Sequence, residues 1–281
     1  MQISSHKFPG ISISHNLDQI PQPMQFKMHT HSQFEVYCFI GGKGIYHIEG
    51  SEYFLHSGDI LLMFPGEAHF FEPDPQYPYE RITFHVNTEY FRDIDPDHTL
   101  LRPVFDRKAG KQNLYRASDF AGGNYMTYIK NMALPSASPL SSLANLILLM
   151  QEIGSIFDRK PLITEPNTVE YQLIGYINRH LDETLTIQQL CDTFYLSRAE
   201  LCRKFKKATG TSIGKYIAVK RLLNARQLIL QGQKPTEIFQ NIGYQDYSTF
   251  YRAYKNQFGY PPSENVTPER TIYIYTDRGA K

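Results

Sequence analysis

The stretch SRAELCRKFKKATG at positions 197–210 returns 49 residues later as DYSTFYRAYKNQFG at 246–259. Leu201 aligns with Phe250, Arg203 with Arg252, Phe205 with Tyr254, Lys206 with Lys255 and Gly210 with Gly259. Each copy opens on a residue suited to an N-cap, Ser197 or Asp246, and Ser197 with Glu200 has capping-box spacing. Each closes on a glycine placed for a left-handed C-terminal cap. A shorter helix is expected before each copy, over 187–194 and 236–242, the first opened by Thr186 and Gln189 at capping-box spacing. Two short helices joined by a tight turn, the second starting on a cap, make a helix-turn-helix, and here the arrangement occurs twice.

Helical phase sorts the residues of each copy. Leu201 and Phe205, four apart, share a core face, as do Phe250 and Tyr254. Arg198, Ala199, Cys202 and Arg203 lie on other faces of the first helix, and Tyr247, Ser248, Tyr251 and Arg252 on those of the second. These are the positions expected to meet base edges, since arginine suits a bidentate contact with guanine and serine or tyrosine hydroxyls donate or accept. Lys206, Lys207 and Lys255 come late in the helices and are expected on phosphates, fixing register without reading sequence. A lone lysine is more often a solvated surface charge, but a repeat matched in cap, core, arginine, lysine and glycine is not coincidence. Charge agrees: residues 166–281 carry +6 and the preceding 165 residues −5, although the whole chain is only +1. A basic half on an acidic half is expected when one domain meets a polyanion, and the expected partner is double-stranded DNA.

The 281 residues suffice for two domains. Positions 29–86 read as short strands with frequent turns. An aromatic and β-branched run over 34–40 meets the hairpin signal Gly41-Gly42-Lys43-Gly44, and further strands are expected at 45–48, 53–55, 60–64 and 81–86. From Pro139 the period becomes helical up to about Phe157, after a Pro/Ser/Ala-rich linker at 133–138. Breaks are expected at 158–161 and 164–167, after which the chain reads as helical almost to Pro261. The expected organisation is an all-β domain over 1–135, a linker with a candidate dimerisation helix over 136–165, and an all-α domain over 166–281 with helix-turn-helix units at about 185–210 and 235–259. That helix fits packing within one chain equally well. Three cysteines without zinc or redox spacing, no signal-peptide pattern and a longest apolar run at 143–150, too short for a bilayer, point to a cytoplasmic protein without a membrane partner.

The segment 167–265 resembles the DNA-binding domain of the AraC/XylS family of bacterial transcription regulators. The resemblance is carried by Leu196-Ser197, the run 201–210, Arg221-Leu222 with Ala225, Ile242-Gly243-Tyr244 through Phe250, and Lys255, Gly259 and Pro262. It implies that a helix over 212–230 holds two reading heads apart so that they enter successive major grooves, roughly 34 Å apart. It also implies activation, with RNA polymerase as a partner; a homodimer is expected only if the amphipathic stretch 140–157 pairs subunits. The sequence departs from the family pattern in four places. Cys191 and Phe239 stand where small residues are usual, Ala199 where a bulky reader is common, and Asn265-Val266 where an aromatic–Arg pair usually ends the motif.

In the N-terminal half, His29-Thr30-His31 and Glu35, followed by a distant His69 after Pro65-Gly66, are spaced like the metal ligands of cupins, small double-stranded β-barrels. That resemblance implies a divalent transition metal on His29, His31, Glu35 and His69, a donor set suited to Fe, Mn, Ni or Zn. The other reading is a pocket for a small-molecule effector at the barrel mouth. His29, His31, Glu35, Tyr37, His69 and Arg81 are candidate lining residues, and Phe39, Tyr46 and Phe70 are further aromatic candidates. A sugar is the expected effector, by resemblance to activators of sugar operons. A third reading leaves His29 and His31 simply exposed at a strand start. Two function classes follow: a ligand-responsive regulator, or a cupin-type metal-dependent enzyme or metal sensor fused to a DNA-binding module. Beyond the four ligand candidates there is no acid–base or nucleophile constellation, so an enzyme is not expected.

Overall fold

The computed structural model describes residues 2–22, 25–91, 93–160, 168–230, 232–264 and 272–273. The break expected at 164–167, and the pair Asn265-Val266, lie outside them. The chain forms two compact units, a strand-rich one of residues 1–26, 33–48 and 52–165 and a mainly helical one of residues 27–32, 49–51 and 166–281.

The β-rich unit begins earlier than the sequence pattern suggested. β1 (Gln2–Phe8) and β2 (Ile11–Asp18) form an antiparallel hairpin around Gly10, with Ile11 and Ile13 buried on one face of β2. β3 (His29–Thr30), β4 (Phe34–Gly41), β5 (Gly44–Ile48), β6 (Ser51–Phe54), β7 (Ile60–Met63), β8 (His69–Pro73), β9 (Tyr79–Val86) and β10 (Leu114–Tyr115) follow. One sheet runs β1-β2-β9-β4-β7-β10, and the other contains β8, β5 and β6 in that order. The turn at 41–44 therefore is not the hairpin that Gly41-Gly42-Lys43-Gly44 signals. β4 pairs with β7 and β9, whereas β5 pairs with β8, so this glycine-rich turn carries the chain from one sheet to the other. The physical reason is burial on both faces: β4 has hydrophobic side chains on each side and takes a central place, which a hairpin partner with one polar face cannot fill.

Alternation along β4 sorts the core into two layers. Phe34, Val36 and Cys38 join Ile60, Leu62, Ile82, Phe84 and Val86 on the outer face of the first sheet. That face is covered by α1 (Arg102–Phe105), α2 (Tyr125–Ala133) and α3 (Pro139–Phe157), whose Ile129, Met132, Leu146, Leu149, Met150 and Ile153 are buried in the same cluster. Burial there pushes the Cys38 thiol up to about 12. Tyr37 and Phe39 point the other way, between the sheets, where they meet Tyr46, Phe71 and Tyr79. α3 opens on Ser138, which caps the Ser141 N–H, with Pro139 in the first turn. Its 19 residues pass for a membrane span on length and composition, longer than the run at 143–150. Leu146, Leu149, Met150 and Ile153 are nevertheless packed in the core, which makes α3 a core helix.

The helical unit comprises α4 (Val169–Arg179), α5 (Ile187–Phe194), α6 (Arg198–Thr209), α7 (Ile213–Leu230), α8 (Pro235–Ile238) and α9 (Tyr247–Phe258). α5 spans the expected residues, and its capping box of Thr186 and Gln189 is complete. α8 is shorter than the expected 236–242. After Ile238 the backbone continues as hydrogen-bonded turns to Tyr244 and passes through Gly243 at φ +85°. Ser197 accepts from the Glu200 N–H at 3.3 Å and Asp246 from the Thr249 N–H at 2.8 Å, so both long helices start on a side-chain cap. At Ser197 the bond described is this single one, not the reciprocal pair formed at Thr186.

Candidate functional site

α6 and α9 are sorted by the same rule. On α6, Leu201, Phe205 and Thr209 are buried at four-residue intervals, and on α9 Phe250, Tyr254 and Phe258 are. Phe205 meets Tyr216 of α7 edge-on at 5.4 Å, which anchors the inner face of α6. The remaining turns are left to solvent. Arg198, Ala199, Cys202, Arg203, Lys206 and Lys207 are exposed on α6, as are Ser248, Arg252 and Lys255 on α9. Tyr247 and Tyr251 are half-buried, and Tyr247 packs edge-on to Phe239 at 5.8 Å. The bulky Phe239 thus finds its partner in a residue expected to read DNA. Lys204, the other basic residue of the run, bonds Glu170 of α4 at 3.0 Å. Both helices end on left-handed glycines, Gly210 (φ +69°) and Gly259 (φ +85°), as the repeat requires.

Sequence reasoning passed over Tyr195. It occupies the left-handed cap of α5 at φ +54° and is 94% exposed in the turn between the two helices of the first unit. An aromatic hydroxyl held out by a strained turn is suited to a phosphate. Its signal in the sequence was a tyrosine directly before the Leu196-Ser197 pair.

α7 ties the two units together through Arg221. The guanidinium donates to the carbonyls of Leu181 (2.6 Å) and Glu183 (2.5 Å), before α5, and of Gly243 (2.9 Å), after α8. Gly243 is required twice over, by its positive φ and because a Cβ there would lie 2.5 Å from the Arg221 guanidinium carbon. Arg226, buried and 5.4 Å from the Phe258 ring, fastens α7 to α9.

The interior of the β-rich unit collects most of the remaining candidates. Tyr37 and Tyr79 share a hydrogen bond between hydroxyls at 2.7 Å, and the Tyr37 ring packs at a tilt against Tyr46 across the sheets, centroids 4.7 Å apart. Arg81 lies over the Tyr79 ring at 4.4 Å and the Phe26 ring at 5.3 Å, and donates to Asp18 at 2.5 Å. Burial opposes its charge, but Tyr79 and Asp18 more than restore it, so Arg81 sits above its ordinary pKa. Phe70 faces the other way and stacks on His47 at 4.3 Å, which removes it from the candidate pocket; strand alternation from Phe71 dictates this.

Of the four candidate ligands, Glu35 and His69 come together within the strand-rich unit, His69 Nε2 lying 3.1 Å from Glu35 Oε2, whereas His29 and His31 fall in the other unit. His31, Glu35 and His69 are buried, so the reading of His31 as merely exposed at a strand start does not hold. His85 was missed. It sits directly opposite Glu35 in the β4–β9 register, a pairing that only the topology reveals. Burial works against a charge on His69, but the Glu35 carboxylate at 3.1 Å outweighs it, and the ring's pKa lies above its ordinary value.

Two capped helix-turn-helix units on one long helix, in a chain that also carries a β-domain with a polar, aromatic interior, define a DNA-binding regulator with a ligand-binding domain. A family model described as an AraC-like ligand binding domain matches residues 19–118, and one described as a helix-turn-helix domain matches residues 190–266. The "HTH-type transcriptional activator RhaS" of Escherichia fergusonii is 25% identical over 263 residues, covering 92% of this chain and 93% of that protein. The "Msm operon regulatory protein" of Streptococcus mutans serotype c is 25% identical over 242 residues, 82% of this chain and 83% of that one. An "Uncharacterized HTH-type transcriptional regulator YobQ" of Bacillus subtilis is 36% identical over 93 residues, 33% of this chain and 39% of that protein. The chain is similar to AraC-type transcription regulators, with an AraC-like ligand binding domain match in one half and a helix-turn-helix match in the other. It is a DNA-binding regulator with a cupin-like N-terminal domain and a C-terminal double helix-turn-helix.

Proposed function

We propose that the chain is an effector-responsive transcriptional activator, working in the bacterial cytoplasm, that reads one operator segment with α6 and the next with α9. One observation carries this reading: two capped helices expose Arg203 and Arg252 at matched positions, backed one turn later by Lys206 and Lys207 in the first and by Lys255 in the second. Arg198, Ala199, Cys202 and Arg203 face base edges in the first unit, and Ser248 and Arg252 in the second. Tyr247 and Tyr251 contribute only their exposed edges. Lys206, Lys207 and Lys255 hold phosphates. The first unit, with more basic side chains, anchors, and the second tunes the fit.

The effector we assign is a small polar molecule, with a sugar first among its classes. Arg81 and Asp18 beside the rings of Tyr79 and Phe26, with the Tyr37–Tyr79 hydroxyl pair nearby, combine directional hydrogen bonds with aromatic faces, the pairing a sugar ring calls for. Activation, with RNA polymerase as the partner, is supported by the relative whose name is that of a transcriptional activator. A homodimer is supported by the exposed Leu140 and Leu148 on α3, an apolar edge that a second copy would cover.

The test is fluorescence anisotropy of the full chain on a DNA site selected from random sequence, repeated with a panel of mono- and disaccharides. One sugar should change the affinity by at least about five-fold, the lower end of typical allosteric coupling. Specific binding that no sugar alters would reject the effector class and keep the regulator. No preference for any sequence would reject the regulator itself.

A further inference from the structure

We propose that Glu49 is a positioning residue for the first reading head, setting α6 through Tyr216 of α7. The inference rests on the reading of α6 as a DNA-reading helix and adds to it a residue from outside the helical half of the sequence.

Residues 49–51 belong to the compact unit that holds α4 to α9, and the partners of Glu49 there stand 129 to 171 residues further along the chain. The Glu49 carboxylate is the centre of the arrangement. Its Oε2 accepts from the Asn178 side-chain amide on α4 at 2.8 Å and from the Tyr216 hydroxyl on α7, and its Oε1 accepts from Lys220 Nζ at 2.7 Å. Glu49 is 2% exposed and Tyr216 0%. A carboxylate this deep is costly unless a cation and hydrogen bonds offset it, and here both do. The backbone of the turn is costly as well. Glu49 holds φ at +47°, a conformation that glycine or asparagine adopts more easily. Gly50 approaches α4 so closely that a Cβ would stand 2.5 Å from Ile174 Cδ1. A buried glutamate kept in a left-handed conformation is accounted for by what its side chain holds.

What it holds is the support of α6. Tyr216 and Lys220 are four residues apart on α7 and share one side of it. The Tyr216 ring packs edge-on against Phe205 at 5.4 Å, and Phe205 lies on the buried face of α6, two residues after Arg203. A tyrosine is rigid beyond Cβ, so fixing its hydroxyl fixes the ring on which Phe205 leans. A second tie runs through α4, where Glu170 accepts from Lys204 of α6 at 3.0 Å, and Asn178 links that same helix to the carboxylate. α9 is placed by other contacts, those of Tyr247 with Phe239 and of Phe258 with Arg226. Loss of the carboxylate therefore loosens the first reading head and leaves the second in place.

The test is guanine N7 methylation protection by the full chain on a selected DNA site. Arg203→Ala and Arg252→Ala mark which protected cluster belongs to α6 and which to α9. Glu49→Ala is compared with Tyr216→Phe, which keeps the ring and removes only the hydroxyl, so the second variant decides the matter if the first fails to fold. At concentrations that saturate the α9 cluster, each should lower protection of the α6 cluster by at least about five-fold, the lower end of typical coupling between sites. A merely structural role would reduce the competent protein and lower both clusters in proportion, and that result would overturn the inference. So would folded variants whose α6 cluster is protected as well as, or better than, in the wild type; two wild-type clusters would then still uphold the DNA reading. A wild-type chain that protects no guanine would reject the DNA reading and the inference with it.

Discussion

At the scale of single residues, the account stands on which side chains each reading helix exposes. Arg203 and Arg252 occupy equivalent positions of the repeat and are both solvent-exposed. Arg203→Ala and Arg252→Ala should each cost about 1–3 kcal/mol on a selected site and relax preference at one base pair, measured by competition with single-base variants. Loss that is equal on every sequence would place these arginines on phosphates. Lys206→Ala and Lys207→Ala should act in that second way, each lowering the slope of log affinity against log salt by about 1. The division into core and exposed residues was legible in the sequence because helical phase depends only on local spacing. Tyr247 and His85 were not, for one shared reason. Their neighbours, Phe239 and Glu35, belong to other elements, and spacing along the chain does not encode packing between elements.

At the scale of elements, caps and a single arginine set the boundaries. Asp246→Ala should remove the bond to the Thr249 N–H and lower the unfolding temperature of the helical unit, read from thermal unfolding of the full chain. Arg221→Ala strips three carbonyls of a charged donor and should cost about 2–3 kcal/mol. Gly243→Ala should reproduce part of that loss, since the added methyl displaces the same guanidinium. If Arg221→Ala leaves the melting profile unchanged, Arg221 does not join the two units. Helices with a cap at one end and a glycine at the other were legible to the residue, as α6 and α9 illustrate. α8 was misjudged because Gly243 serves the Arg221 clamp as well as helix termination. The β1–β2 hairpin was visible only in the alternation of Ile11 and Ile13. The turn at 41–44 was misread because hairpin glycines and sheet-crossing glycines look alike until strand partners are known.

At the scale of the molecule, the charge asymmetry and the repeat foretold a DNA-binding helical half and a β-rich sensor half, and the family match agrees with both. The sensor's chemistry was harder to read because a barrel interior is assembled from alternate residues of many strands. The central claim is that one chain reads DNA with two helices held apart by α7. Guanine N7 methylation protection on a selected site tests it most directly. The account predicts two protected clusters about one helical turn, roughly 10 base pairs, apart. Arg203→Ala should open one cluster and Arg252→Ala the other. A single cluster that survives both substitutions would contradict it.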